Sequence, residues 1–294
     1  DRPVEDAFEV QDELTQSIAM CIAPQIQTEE RSRVREGTTE NLSSRDTVAK
    51  AHWHLDRFTA TDNSAAMQLL DGVLKSQPDN VDALCVKSLA MIYDRLYWNG
   101  ELDDPPFSRA AQFAERAIAI EPDNDDARTQ MGLALWFLRR HDDAKRHLEY
   151  AISLNANNST AIGVLGRVCV WTRDFEQAED LLQSALRLSP RDPWSGFYEN
   201  HLAIMEVLRN SYQEAIRHGR EALNRMPQAA SPLIYLAASH ALAGDLANAR
   251  SFATRARAIM PGFSCSSFRA NMPYFYEADI ELFCEGLREA GVPD

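Results

Sequence analysis

The sequence predicts an all-α fold, a stacked array of about six helix pairs with a capping helix at each end. Three columns of residues carry that prediction. Ala144, Ala178, Ala215 and Ala249 form the first, and Ala151, Ala185, Ala222 and Ala256 the second; steps of 34 residues are broken once, by three extra residues before Ala215. Pro122, Pro190, Pro227 and Pro261 form the third, with Ala156 standing where one unit would place its proline. Small residues at fixed places let two helices pack closely. Proline stops the second helix of each pair, because it lacks an N–H and disfavours helix in the residue before it. A period of this size marks a solenoid in which each unit packs only on its neighbours.

The elements follow in order. Residues 5–23 read as an amphipathic helix, with Val10, Leu14, Ile18, Ile22 and Ile26 four apart. Pro24 breaks it, a charged stretch runs from Thr28 to Glu36, and Gly37 to Ser44 reads as a polar connector. This segment, 1–46, precedes an array over 47–263. Its units are 47–80, 81–124, 125–158, 159–192, 193–229 and 230–263. The second unit is long because of an insertion around Tyr97 to Pro106, where Asn99-Gly100 and Pro105-Pro106 are turn signals. The third and fourth are the cleanest: Met131-Gly132 matches Leu165-Gly166, and Leu154 matches Leu188. Gly244-Asp245 marks the turn within the sixth. Residues 264–294 then form a C-terminal capping segment, aromatic from Phe263 to Tyr276, ending in a helix near 277–290 with Gly291 as its cap.

Charge and cysteine usage narrow the function. The formal net charge is −14, which argues against direct nucleic-acid or anionic-membrane binding. Five scattered cysteines with no CxxC spacing read as reduced thiols of a cytoplasmic protein. No apolar run reaches membrane-spanning length, and no signal peptide is visible. The chain opens Asp1-Arg2-Pro3-Val4 without an initiator methionine, as a processed product or a piece of something longer would.

The repeat resembles the tetratricopeptide repeat (TPR). Leu165-Gly166, Phe175, Ala178, Leu182, Ala185 and Pro190 carry the resemblance in one unit, and Met131-Gly132, Ala144, Leu148 and Ala151 in the unit before it. The resemblance implies a right-handed solenoid. Ala156, Glu206 and Gly219 depart from the pattern within single units. The two flanks are similar to a narrower group. Asp6-Ala7-Phe8-Glu9-Val10-Gln11-Asp12-Glu13-Leu14 resembles a segment of bacterial signalling proteins in which a class III adenylate cyclase or winged-helix DNA-binding domain precedes TPRs. Glu285-Gly286-Leu287-Arg288-Glu289-Ala290-Gly291-Val292-Pro293 resembles their ending. That resemblance implies that the output half would lie upstream of Asp1.

Chemistry is hard to find in these residues. There is no P-loop, GxGxxG, GxSxG or HExxH pattern, so no catalytic residue, metal site or cofactor is assigned. His52 and His54 sit two apart and point to different helix faces. Asp103-Asp104, Asp125-Asp126 and Asp142-Asp143 fall at loops or helix starts, where capping is the ordinary role of acids.

Function therefore falls to the concave face, lined by the first helix of each pair. The candidate partner-binding residues are Gln130, Leu133, Phe137, Arg167, Trp171, Asn200, His201 and Tyr235. Arg167 interrupts an apolar row and would pair with a partner's carboxylate, or with Glu199 or Glu206 internally. Trp171, one turn on, offers an apolar anchor or core packing. The expected partner is a protein or peptide, or a second copy of the chain. The leading reading is a non-catalytic interaction module regulating a larger signalling protein; the alternative is a stand-alone adaptor. An enzyme would need convergent polar residues that the sequence does not show.

Overall fold

The computed structural model describes residues 43–97, 107–190, 192 and 194–294. The expected helix at 5–23 and the insertion beyond Tyr97 lie outside them. Among the described residues the chain is all-helical. The first six helices are α1 (Ser44–Leu55), α2 (Ala60–Ser76), α3 (Val81–Tyr97), α4 (Ser108–Ile120), α5 (Asp125–Phe137) and α6 (His141–Leu154). The array continues with α7 (Ser159–Trp171), α8 (Phe175–Leu188), α9 (Ser195–Leu208), α10 (Tyr212–Arg225), α11 (Ala230–Leu242) and α12 (Leu246–Ile259). Two further helices, α13 (Cys265–Asn271) and α14 (Glu277–Glu289), follow. Consecutive helices pair from α1·α2 to α11·α12, which gives six hairpins.

Close approach within each hairpin explains the small-residue columns. All eight column alanines are at most 1% exposed. A Cβ added at Gly132 would lie 2.6 Å from Leu148 Cγ, and one at Gly166 2.9 Å from Leu182 Cγ. Glycine there seats a leucine of the partner helix against bare backbone. Gly219, a departure from the usual pattern, does the same between hairpins, for Leu236 of α11, whose Cδ2 would be 2.8 Å from an added Cβ.

Each second helix ends two residues before its proline. The residue between is extended: Gln77, Glu121, Ser189, Met226 and Met260 have φ between −123° and −134° and ψ between 66° and 88°. That conformation lies outside the helical region, which a following proline disfavours. Asn155, before Ala156, adopts it too, at φ −143° and ψ 95°. The exit is thus a property of the packed hairpin, and proline reinforces it. Two residues past the proline position, Asn80, Asn124 and Asn158 cap the next helix, accepting from Ala83, Ala127 and Ala161 N–H at 2.8–2.9 Å. Asp125-Asp126 and Asp142-Asp143 lie within the first turns of α5 and α6, where they meet the positive end of the helix dipole; Asn124 caps α5, and no side chain caps α6.

The turn inside each later hairpin is a Schellman motif. Its left-handed residue is Arg139, Arg173, Asn210 or Gly244, with φ of 59°, 62°, 61° and 82°. In the motif at Arg139, its N–H donates to Trp136 O and that of Arg140 to Leu135 O, both at 2.9 Å. Gly291 closes α14 the same way.

Two substitutions separate packing from propensity. Gly166→Ala should lower stability by about 1–3 kcal/mol, because Leu182 must shift. Gly72→Ala, in α2 with nothing within 4 Å, should raise it by about 0.5–1 kcal/mol. Denaturant midpoints of the two variants, moving in opposite directions, are the check.

Candidate functional site

The eight candidate residues all fall on the first helices α5, α7, α9 and α11, and all are buried, none more than 8% exposed. Two sets of contacts bury them. The first brings the opening hairpin round to the fifth. Trp194 Nε1 donates to Asp56 Oδ1 at 2.7 Å, across 138 residues of sequence. The Phe58 ring lies 4.8 Å from Trp194 and 5.6 Å from Phe197, and Tyr93 lies 4.7 Å from Trp194.

The second set is the C-terminal segment. Phe283 of α14 packs 5.5 Å from Tyr235 and 6.0 Å from Trp171. Gly286 allows the close docking of α14 on α11, since an added Cβ would lie 2.9 Å from Ala238 O. The two left-handed arginines reach this segment. Arg139 donates to Arg269 O at 2.9 Å and lies 4.0 Å above the Tyr274 ring. Arg173 pairs with Asp279 through two nitrogens, Nε at 3.2 Å from Oδ2, and lies over Tyr276. Asp279 is fully buried while Arg173 is half-exposed. The segment expected to cap the last unit therefore also crosses back to the third and fourth.

Within this enclosure Arg167 is central. Its guanidinium lies 4.7 Å from the Trp136 ring and 5.2 Å from Phe197. Burial raises the Tyr93 phenol's pKa, against the opposing pull of the Arg167 charge. Neither internal acid weighed from sequence takes it: Glu199 pairs with His218 at 2.7 Å, and Glu206 with Arg209 at 3.2 Å. Burial, and then the Arg167 charge, hold the His201 imidazole well below its ordinary pKa, so it stays neutral. Its Nδ1 donates to Phe197 O at 2.8 Å. Burial pushes the Tyr97 phenol up to about 12 despite the opposing pull of Arg167.

The other candidates are occupied by packing. Asn200 donates to Ser231 Oγ at 2.7 Å, and the Tyr235 hydroxyl to Met272 Sδ at 3.3 Å. Phe137 stacks on Phe107 at 4.8 Å, and Leu133 is core. Gln130 is 7% exposed and its Oε1 has no partner. His52 and His54 diverge, the first toward Trp194 and the second onto Asp62 at 2.8 Å. Sequence reasoning did not single out Trp136, Phe197, Trp194, Asp279 or the left-handed arginines. Only the arginines left a signal: positions 139 and 173 align with Gly244.

The tetratricopeptide repeat family model matches residues 138–194, the end of the third hairpin and the whole of the fourth. The chain carries a TPR array. Solved TPR structures share its fold. A thermophilic TPR protein of Thermus thermophilus has a TM-score of 0.53 at 17% identity, covering 67% of this chain and 98% of that one. The Cut9–Hcn1 hetero-tetramer of the APC/C gives 0.59 at 14% identity, covering 92% of this chain and 48% of that one. The human IFIT1 dimer with m7Gppp-AAAA gives 0.62 at 15% identity, covering 73% of this chain and 49% of that one. Among curated proteins, putative adenylate cyclase 3 of Rhizobium meliloti (strain 1021) is 28% identical over 146 residues. That similarity spans 49% of this chain and 25% of the cyclase.

The Arg173–Asp279 pair decides how firmly the TPR array holds its C-terminal segment. Arg173→Gly relieves the left-handed backbone by about 1 kcal/mol but strands a buried carboxylate. A net loss of about 2 kcal/mol is expected, because the half-exposed arginine is partly screened. Asn210→Gly, at the equivalent turn without such a contact, should gain up to about 1 kcal/mol. Urea midpoints of both variants measure the difference.

Proposed function

We propose that this TPR array is the regulatory, non-catalytic region of a larger bacterial signalling protein with an adenylate cyclase-like or transcriptional regulator-like output domain. TPR arrays serve as protein–protein interaction modules. The observation that carries the finer reading is the 146-residue similarity to a putative adenylate cyclase. The flanking segments at Asp6–Leu14 and Glu285–Pro293 support it, since both resemble such proteins and stand in the expected order. The array would bind a protein or peptide, or its own copy, and bias the output domain through different contacts in two states. A cytoplasmic setting fits the four described cysteines, which are free and buried.

A partner that contacts the eight inner-face residues would first have to displace the opening hairpin and the C-terminal segment, the two elements that cover them. Among the described residues no helix is long and apolar enough to cross a membrane.

An antibody to this region, applied to the denatured endogenous protein, should reveal a polypeptide clearly heavier than 33.1 kDa. Peptide sequencing of the additional part should then find a cyclase or winged-helix domain. A mass near 33.1 kDa would turn the assignment toward a free-standing adaptor.

A further inference from the structure

Two residues break the local rules of the TPR array, and they meet. Asn80, Asn124 and Asn158 cap α3, α5 and α7 with their side chains. The residue at that place before α9 is Trp194, whose side chain makes no cap hydrogen bond. The helix forgoes the stability that such a cap confers. In the turn of the first hairpin, Phe58 has φ 52°, in the left-handed region that Gly244 occupies in the sixth. A bulky side chain is strained there. Both residues give up local stability, and both gain one contact: their rings lie 4.8 Å apart, edge to face. Local rules broken at two places that touch mark a feature kept for a reason beyond local structure.

Stacking does not require this contact. A hairpin in a solenoid packs on its neighbours, and the first and fifth are not neighbours. Asp56, the C-cap of α1, accepts from Trp194 Nε1 at 2.7 Å. Phe58 reaches Phe197 at 5.6 Å, and Tyr93 of α3 stands 4.7 Å from Trp194 and 5.8 Å from Phe197. The clasp thus joins the tip of the first hairpin to the start of α9. Its position decides what it covers. Phe197 is 2% exposed, its ring lies 5.2 Å from the Arg167 guanidinium, and its carbonyl accepts from His201. The first hairpin enters the array at the Gln77–Asn80 connection, where Gln77 is extended and Pro78 follows. The tip stands a full length of α2 from that connection, about 25 Å.

We propose that the first hairpin is a hinged cover of the inner face, held shut by the clasp of Asp56 and Phe58 on Trp194 and turning as a folded unit about the Gln77–Asn80 connection. A small rotation at one joint of a solenoid carries a distant tip far, and no helix need melt for it. Side chains alone hold the two tips together, so loosening the clasp frees the hairpin and leaves every helix pair intact. The cover deepens the regulatory reading of the array and rests on it for its purpose, since it decides when inner-face residues meet a partner. The motion belongs to the chain itself and is read from its shape, so its failure leaves the interaction-module reading standing.

The test compares the 294-residue chain with an Asp56→Ala/Phe58→Gly double variant and with Trp194→Phe. Glycine keeps the left-handed turn and removes only the ring. Small-angle X-ray scattering reads the shape, and far-UV circular dichroism the helix content. Isotope-labelled tryptophan spectra follow the Trp194 indole N–H, assigned by its loss in Trp194→Phe. The double variant should show a larger radius of gyration, unchanged helix content and indole hydrogen exchange faster by about tenfold or more. Trp194→Phe keeps a ring but loses the donor, and should shift the scattering the same way to a smaller extent. An unchanged radius of gyration in the double variant would overturn the proposal, since stacking alone would then hold the closure. So would a loss of helix content matching α1 and α2, because the hairpin would then melt and not hinge. If the double variant does not fold, Trp194→Phe carries the comparison with the same two overturning outcomes.

Discussion

Backbone-to-backbone proximity within each hairpin is the constraint on which the molecule depends. Where a column alanine or a glycine faces the partner helix, a leucine from that helix fits against the backbone, as Leu148 does at Gly132 and Leu182 at Gly166. A larger side chain at any of these places would wedge the pair apart. The array repeats this joint, so the relative placement of distant hairpins is the accumulated result of many close contacts. Only with that accumulation does the Trp194 indole of the fifth hairpin arrive within hydrogen-bonding distance of Asp56 in the first.

The turns convert a local necessity into long-range structure. A Schellman turn wants a left-handed residue, and glycine fills that seat at the lowest cost, as at Gly244. Arg139 and Arg173 occupy it instead. Their side chains leave the turn toward the C-terminal segment and tie Arg269, Tyr274, Tyr276 and Asp279 to hairpins far earlier in the chain. Backbone strain at the turn is thereby offset by contacts that a glycine would lack.

Enclosure changes what the inner face is able to do. An open TPR groove would present Arg167 and Trp171 to a passing peptide. Here the opening hairpin and α14 cover them, and a charge that water would otherwise solvate is held among rings.

Sequence alone determined the local structure, because its causes are local. Alanine and glycine spacing, the prolines and Gly244 each act within a few residues, and the helices end where those residues stop them. Even Ala156 did not disturb the pattern, since the packed hairpin holds Asn155 extended without proline. The helix that carries each candidate residue was legible: all eight lie on the first helices. The state of the site was not legible. Whether Arg167 meets Glu199, Glu206 or neither depends on side chains from α5, α7 and α9 converging, and periodicity carries no record of that. Tertiary structure alone decided that Trp136 and Phe197 flank the guanidinium, and that Asp279 lies buried beneath Arg173. The physical reason is one of range. A repeat encodes each neighbour-to-neighbour joint, whereas closure of the inner face is set by the sum of those joints and by where the unrepeated α13 and α14 come to rest.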